Sequence, residues 1–206
     1  MAEIEYFYAP HSVFAYLGAT RLAEIAQATG RKIVHRPVTL NEVVEVHHVQ
    51  GFKGRSKAHY PYFFGREIER WGEYRDVPFK GGVPSNHAND TSLASRILIA
   101  ATQQDQGADK LAHAMMQAHW RDHGDLADQT MLEGLIDAVG MDADAVVSAA
   151  KSPETEAVLK ANTAEAIERS FFGSPTYVVD GDVFYGQDRL EMVERAIEKP
   201  FARVWT

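Results

Sequence analysis

The stretch FFGSPTYVVDGDVFYGQDR, Phe171 to Arg189, decides the fold. Thr176 to Val179 is β-branched and aromatic, Asp180-Gly181 is a two-residue hairpin signal, and Val183 to Tyr185 resumes the apolar run. Two short antiparallel strands are therefore expected. Pro175 opens the first of them, where its missing N–H is tolerated, and Ser174-Pro175 is a bond that can be cis. Gly186-Gln187-Asp188 then leads into LEMVERAIE, where Leu190, Val193, Ala196 and Ile197 recur at helical spacing. A helix N-terminus carrying polar groups beside such a proline suits a small charged ligand. The same residues also make a plain strand start and a capped terminal helix.

At the other end of the chain, Ile4 to Tyr8 is a short apolar and aromatic run stopped by Ala9-Pro10, which reads as a strand. VFAYLGATRLAEIAQATG follows, with Phe14, Leu17, Leu22 and Ile25 on a helical period and a stop at Gly30. Ser12 stands at its N-cap, a role worth about 1 kcal/mol. Lys32 to Thr39 (KIVHRPVT) reads as a second strand, with Pro37 marking an edge or an end. Strand, helix and strand in forty residues form a right-handed βαβ unit with parallel strands. From Asn41 to about Ile167 the pattern changes to helices joined by loops. HYPYFFGREIERW, SLASRILIAATQ capped by Asp90-Thr91, DKLAHAMMQAHWRDH, Asp128 to Val139, Met141 to Ala150 and a helix begun by Pro153 follow in turn.

Together the ends give β-α-β and β-β-α around a helical block. This is an α/β, thioredoxin-like fold with a large all-helical insertion: residues 1–40 and 168–206 form the thioredoxin-like part, and 41–167 the insertion. In that arrangement Ser12 and Ser174-Pro175 should lie side by side. The 206 residues carry 45% hydrophobic and 24% charged side chains, as an ordinary globule does, and a formal charge of −8 that disfavours nucleic acid and anionic membrane as partners. No run approaches the roughly 18 apolar residues of a membrane span, and MAEIEYFYAP has no basic n-region or long apolar h-region, which favours the cytoplasm. With no cysteine in the chain, disulfides, thiolate metal sites and protein-borne redox thiols are excluded.

The segments YFYAPHSVFAYLG, REIERWGEYRDVPF, AHWRDHGDLAD and above all AIERSFFGSPTYVVDGDVFYGQDRLEMVE resemble those of 2-hydroxychromene-2-carboxylate isomerases and the related kappa-class glutathione transferases, proteins with a DsbA-like thioredoxin fold. The likeness runs in consistent order from about Ile4 to Ile197. It implies a glutathione-dependent isomerase of aromatic degradation, acting on a small-molecule substrate as a homodimer, with glutathione as its cofactor. Placed on the family's pattern, the catalytic serine is Ser12. Ser174 and Pro175 would hold the cysteinyl part of glutathione, and Gln187 and Asp188 its γ-glutamyl end. Lys57, or Lys53 in its place, would bind it from the insertion, with Lys53, Arg55 or Lys57 as the cation for a substrate carboxylate. The redox branch of the superfamily has a Cys-x-x-Cys where this chain reads Ser12-Val13-Phe14-Ala15, so disulfide exchange is chemically closed to it. Val13 replaces the family's usual proline, and Asp90-Thr91 its usual Asn-Thr. The resemblance also leaves a kappa-like transferase or peroxidase, and a glutathione-binding protein without chemistry, as alternatives.

Other side chains invite competing chemistry. His11 adjoins Ser12, but neighbours at a strand-to-helix turn do not aim at each other as nucleophile and base, and no G-x-S-x-G elbow exists. His119 and His123 stand four apart with Asp122 beside them, a metal-ligand spacing without a third ligand; they read as exposed helix histidines and no metal is expected. His47-His48 reads as loop. Tyr60, Tyr62, Phe63, Phe64 and Trp71 read as core or dimer contact, with a part walling an apolar pocket, and Trp120 as core.

Overall fold

Alternation along the first strand sets the two layers that bracket the sheet. In the computed structural model, which describes residues 2–47, 56–104 and 107–202, β1 (Glu3–Tyr8) points Ile4, Tyr6 and Tyr8 to one face and Phe7 to the other. The rings of Tyr6 and Tyr8 stack at 4.0 Å, and Tyr177 of the partner strand stacks on Tyr6 at 5.4 Å. Over that face lies α1 (Val13–Thr29), burying Tyr16, Leu17, Leu22 and Ile25. Phe7 joins Val38, Val43, Ala166, Phe171 and Val178 on the opposite face, under α2 (Leu40–His47) and α9 (Pro153–Glu168).

The sheet order is β2-β1-β3-β4. β2 (Lys32–Pro37) pairs parallel with β1, as the crossover through α1 requires, while β3 (Thr176–Val179) pairs antiparallel with both β1 and β4 (Asp182–Tyr185). Pro37 ends β2 at the sheet edge, where a missing donor is harmless. The hairpin turn has Asp180 at φ 51° and Gly181 at φ 89°, the left-handed pair that a two-residue turn demands. Arg31 clamps it from outside with two bonds to the Asp180 carboxylate, at 3.0 and 2.7 Å.

Between β2 and β3 run the helices. α3 (His59–Pro61) continues through a π-helical turn (Tyr62–Arg66) into α4 (Glu67–Tyr74), followed by α5 (Ser92–Gln103), α6 (Ala108–Trp120), α7 (Gln129–Ala138), α8 (Ala143–Ala150) and α9. Asp128, Asp142 and Ser152 cap α7, α8 and α9 through their side-chain oxygens, and Pro153 occupies the first turn of α9. Tyr6, Leu17, Leu98, Met115 and Leu132 belong to one buried cluster, so the sheet, α1 and these helices share a core. A 3₁₀ turn (Gln187–Arg189) and α10 (Leu190–Glu198) close the chain against α1. Gly18 permits that approach: a Cβ there would stand 2.8 Å from Gln187 Cβ and 2.9 Å from Tyr177 Oη. Among the described residues no helix is long and apolar enough to cross a membrane.

Two sequence expectations gain detail here. Of the aromatic residues expected as core or dimer contact, Tyr60 and Tyr62 are exposed and so not core, while Phe63 and Phe64 are half-buried against Phe14. Thr91 holds the N-cap position of α5 but makes no capping bond; the Asp90 carboxylate accepts the Ser92 N–H instead, at 2.9 Å.

Candidate functional site

Ser12 sits at the N-cap of α1 in extended conformation, and its Oγ accepts the N–H of Ala15 at 3.3 Å. A seventeen-residue helix whose first turn holds no acidic side chain presents an uncompensated positive end at this point. The Ser12 hydroxyl donates to the Ser174 carbonyl at 3.3 Å, across 162 positions of sequence. The Ser174 hydroxyl in turn accepts the Ala9 N–H at 3.0 Å. The Ser174-Pro175 peptide is cis, so the juxtaposition expected from the sequence is present. Both serines are largely buried, and the Ser12 proton is directed at the Ser174 carbonyl.

From there the site extends toward the last helix. The Pro175 carbonyl accepts the Gly186 N–H at 2.9 Å, which ties the cis-proline loop to the turn bearing Gln187 and Asp188. Those two residues separate. Gln187 is buried, its side-chain oxygen accepting from Arg75 Nε at 3.0 Å and its carbonyl from the same guanidinium at 3.2 Å. Asp188 is part-exposed and paired with Arg189 at 2.6 Å, leaving its carboxylate on the surface of the turn. Arg75 is the residue that sequence reasoning passed over: it lies over the Trp71 ring, bonds Glu191 and anchors the turn, with only its place in the RDVPF segment to suggest a role.

On the insertion side, Phe14 in the first turn of α1 meets Phe63 at 4.9 Å, and Phe63 meets His59 at 5.0 Å. Lys57 lies exposed two residues before His59. Lys53 and Arg55 fall outside the described residues, as does His48, while His47 closes α2. Tyr16 donates its hydroxyl to the Pro78 carbonyl at 2.6 Å, holding the loop after α4 against α1; burial keeps that phenol protonated.

Beside Ser12 stands a group of imidazoles that the sequence did not assemble. His11 Nδ1 bonds Thr91 Oγ1 at 3.1 Å, and the His11 carbonyl accepts the Trp120 indole N–H at 3.1 Å. The His11 ring stands edge-on to His87 at 5.3 Å, His87 Nδ1 bonds His119 Nε2 at 2.9 Å, and His119 Nδ1 bonds the Gly124 carbonyl at 3.0 Å. Burial, then the neighbouring imidazoles, push both His11 and His87 down to about 4; burial also lowers His119. His119 is therefore no exposed helix histidine, and His123 lies beyond the end of α6 at φ 60°. Among the described residues no three His, Cys, Asp or Glu side chains are grouped to hold a metal ion. His11 turns to Thr91 rather than Ser12, so no nucleophile–base pair forms.

Residues 3–198 match the model of the DSBA-like thioredoxin domain. A 2-hydroxychromene-2-carboxylate isomerase of Sphingobium xenophagum is 30% identical over 192 residues, covering 93% of this chain and 95% of that protein. One from Pseudomonas sp. strain C18 is 26% identical over 195 residues, covering 94% and 89%. The solved structure of a 2-hydroxychromene-2-carboxylate isomerase superposes with a TM-score of 0.78 at 23% identity, covering 95% of this chain and 94% of that one. The cytosolic disulfide reductase DsbM of Pseudomonas aeruginosa, solved with GSH, superposes with a TM-score of 0.63 at 17% identity, covering 96% and 93%, a likeness of fold.

Proposed function

The chain belongs to the DsbA-like thioredoxin family, on its isomerase branch, and we propose that it is a glutathione-dependent isomerase of 2-hydroxychromene-2-carboxylate-type intermediates of aromatic degradation. The observation that carries the glutathione part is the Ser12 hydroxyl at the positive end of α1, in contact with the Ser174 carbonyl. The donor set suits the tripeptide. A thiolate calls for N–H and O–H donors, which the first turn of α1 and Ser12 offer; an ammonium calls for a carboxylate, which Asp188 offers on the surface of its turn. For a carboxylate the candidate cation among the described residues of that segment is Lys57, exposed before His59. Gln187 takes a positioning role, since Arg75 already occupies it. Held there by Ser12, Ser174 and Asp188, glutathione would supply a sulfur nucleophile for reversible addition to a conjugated carbon, chemistry that makes a double bond transiently single and free to rotate.

The chain's own residues do three things in this scheme. Ser12 swings its proton from Ser174 to the sulfur and, with the helix end, favours the ionised form of a thiol whose ordinary pKa is about 8.5. Ser174 and Pro175 hold the loop against Ser12, and Phe14 with Phe63 offers an apolar face to an aromatic substrate. The test mixes the protein, glutathione and 2-hydroxychromene-2-carboxylate, and follows the substrate spectrum together with free thiol. Turnover that requires glutathione and leaves thiol constant is the expected result. Falling thiol favours the transferase reading, and absence of any turnover with retained glutathione binding favours the non-catalytic one.

A further inference from the structure

Asp188 stands on a turn whose shape is set from outside. Within the turn the Gly186 N–H goes to the Pro175 carbonyl, and the Arg189 N–H to the Gly186 carbonyl at 3.1 Å. The Gln187 carbonyl belongs to the peptide that leads into Asp188. It accepts both the Leu190 N–H and Arg75 Nη2, so both of its lone pairs are engaged. Arg75 Nε holds the Gln187 side chain at the same time, and Nη2 reaches on to Glu191 at 3.1 Å. The Asp188 carboxylate follows from that peptide: Oδ2 meets Arg189, and Oδ1 lies over Gly186, where a side chain would collide with it. Gly186 is the residue bonded to the cis-proline loop. Arg75 comes to the turn from the helical segment between β2 and β3. It is the C-cap of α4, its side chain buried and its guanidinium 5.2 Å from the centre of the Trp71 ring. Phe79 packs on Gly72 of α4 and Tyr16 of α1 holds the Pro78 carbonyl, so the loop after Arg75 is fixed to both helices. A planar fork that grips one residue by side chain and backbone together sets orientation, which a point charge does not.

We propose that Arg75 is a positioning residue for glutathione: through Gln187 it holds the peptide before Asp188 so that the carboxylate is aimed at the ammonium of the γ-glutamyl end. Recognition of that end then depends on a helix that lies outside the sheet and its two terminal segments. The proposal rests on the functional reading above, which puts the ammonium at Asp188, and adds the residue that aims the carboxylate. Arg75 acts through Gln187 in this scheme and touches neither the sulfur nor the substrate, so the Ser12 end of the site is expected to be unaffected by its loss.

The test is calorimetric titration of the whole protein with glutathione and with glutaryl-cysteinylglycine, the same tripeptide without its α-amino group. The wild type is expected to bind glutathione about fivefold more tightly, the scale of a part-exposed ion pair, and Asp188→Asn to bind the two about equally. Arg75→Met should bring the preference to near unity although Asp188 is intact. Arg75→Lys, which keeps the charge without the fork, should lose most of it. A loss of packing alone would weaken both ligands alike and leave the ratio untouched. Should Arg75→Met fail to fold, Arg75→Lys decides. A preference undiminished in the Arg75 variants, or surviving in Asp188→Asn, overturns the proposal; where Asp188→Asn abolishes it and the Arg75 variants do not, the functional reading stands without Arg75. A wild type that binds both tripeptides equally overturns the proposal and moves the ammonium away from Asp188. Binding of neither, together with no glutathione-dependent turnover, overturns the functional reading as well.

Discussion

Replacing Ser12 with alanine separates the two duties that the structure gives one hydroxyl. As an N-cap its oxygen accepts the Ala15 N–H, and loss of such a cap costs about 1 kcal/mol. As a donor it satisfies the Ser174 carbonyl, and losing a neutral hydrogen bond of this kind costs about 1 kcal/mol more. Ser12→Ala should therefore lower stability by about 2 kcal/mol, or roughly 4–8 °C in Tm for a chain of this size. The second duty concerns sulfur. A hydrogen bond to a charged acceptor is worth about 1.5–3 kcal/mol, so the thiol of bound glutathione should rise by roughly 1–2 pKa units in the variant. The assay is a pH titration of thiolate ultraviolet absorbance in the glutathione complex, set beside thermal melts. Turnover at pH 7 should fall about tenfold to a hundredfold and climb back as pH approaches the new thiol pKa. A variant that melts early yet keeps the wild-type thiol pKa and turnover would show that Ser12 is a cap and nothing else, and the mechanism would lose its central residue.

Three further outcomes are expected. Gly18→Ala drives a methyl into Gln187 Cβ and Tyr177 Oη, neither of which can swing away; it should cost about 1–3 kcal/mol and weaken glutathione affinity by shifting the turn that bears Asp188, as chemical denaturation and calorimetry would show. Tyr177→Phe removes a buried hydroxyl without a hydrogen-bond partner among the described residues, so it should leave stability unchanged or raise it by up to about 1 kcal/mol in the same denaturation assay; a loss above 1 kcal/mol would reveal a missed partner. Acid should unfold the protein through its buried histidines. His11 and His87 titrate near 4 when folded and near 6.5 when unfolded, so the unfolded state binds more protons between those values and stability falls as pH drops through that window. His11 alone accounts for about 3 kcal/mol, with a smaller share from the less deeply buried His87. His11→Leu should flatten the dependence of denaturation midpoint on pH between 4 and 6.5, and an unchanged slope would refute the assignment.

Much of the fold was legible because its signals are local. The Asp180-Gly181 turn, the β-branched residues around it and the helical period after Ser12 are short-range patterns, and each folds as read. Helices of the insertion were legible too, in the runs Asp128 to Val139 and Met141 to Ala150 and in the start at Pro153, while the capping roles of Asp142 and Ser152 came from the structure. Side chains whose direction depends on a neighbour far along the chain were read less well. Of the Asp90-Thr91 pair read as a cap, Asp90 takes the Ser92 N–H while Thr91 is a partner of His11; Tyr60 and Tyr62, read as core or dimer contact, are exposed; His119 looked exposed and is buried.

The sequence by itself determined the strand and helix order, the exclusion of disulfide chemistry, and the serine and serine-proline pair, because absent thiols and local turn chemistry do not depend on packing. Only the tertiary structure decided that Gln187 serves Arg75 while Asp188 faces out, and that three histidines from a strand-to-helix turn, a loop and a distant helix meet beside Ser12. Hydrogen-bond direction and burial are properties of the assembled neighbourhood, and no spacing along one chain encodes them.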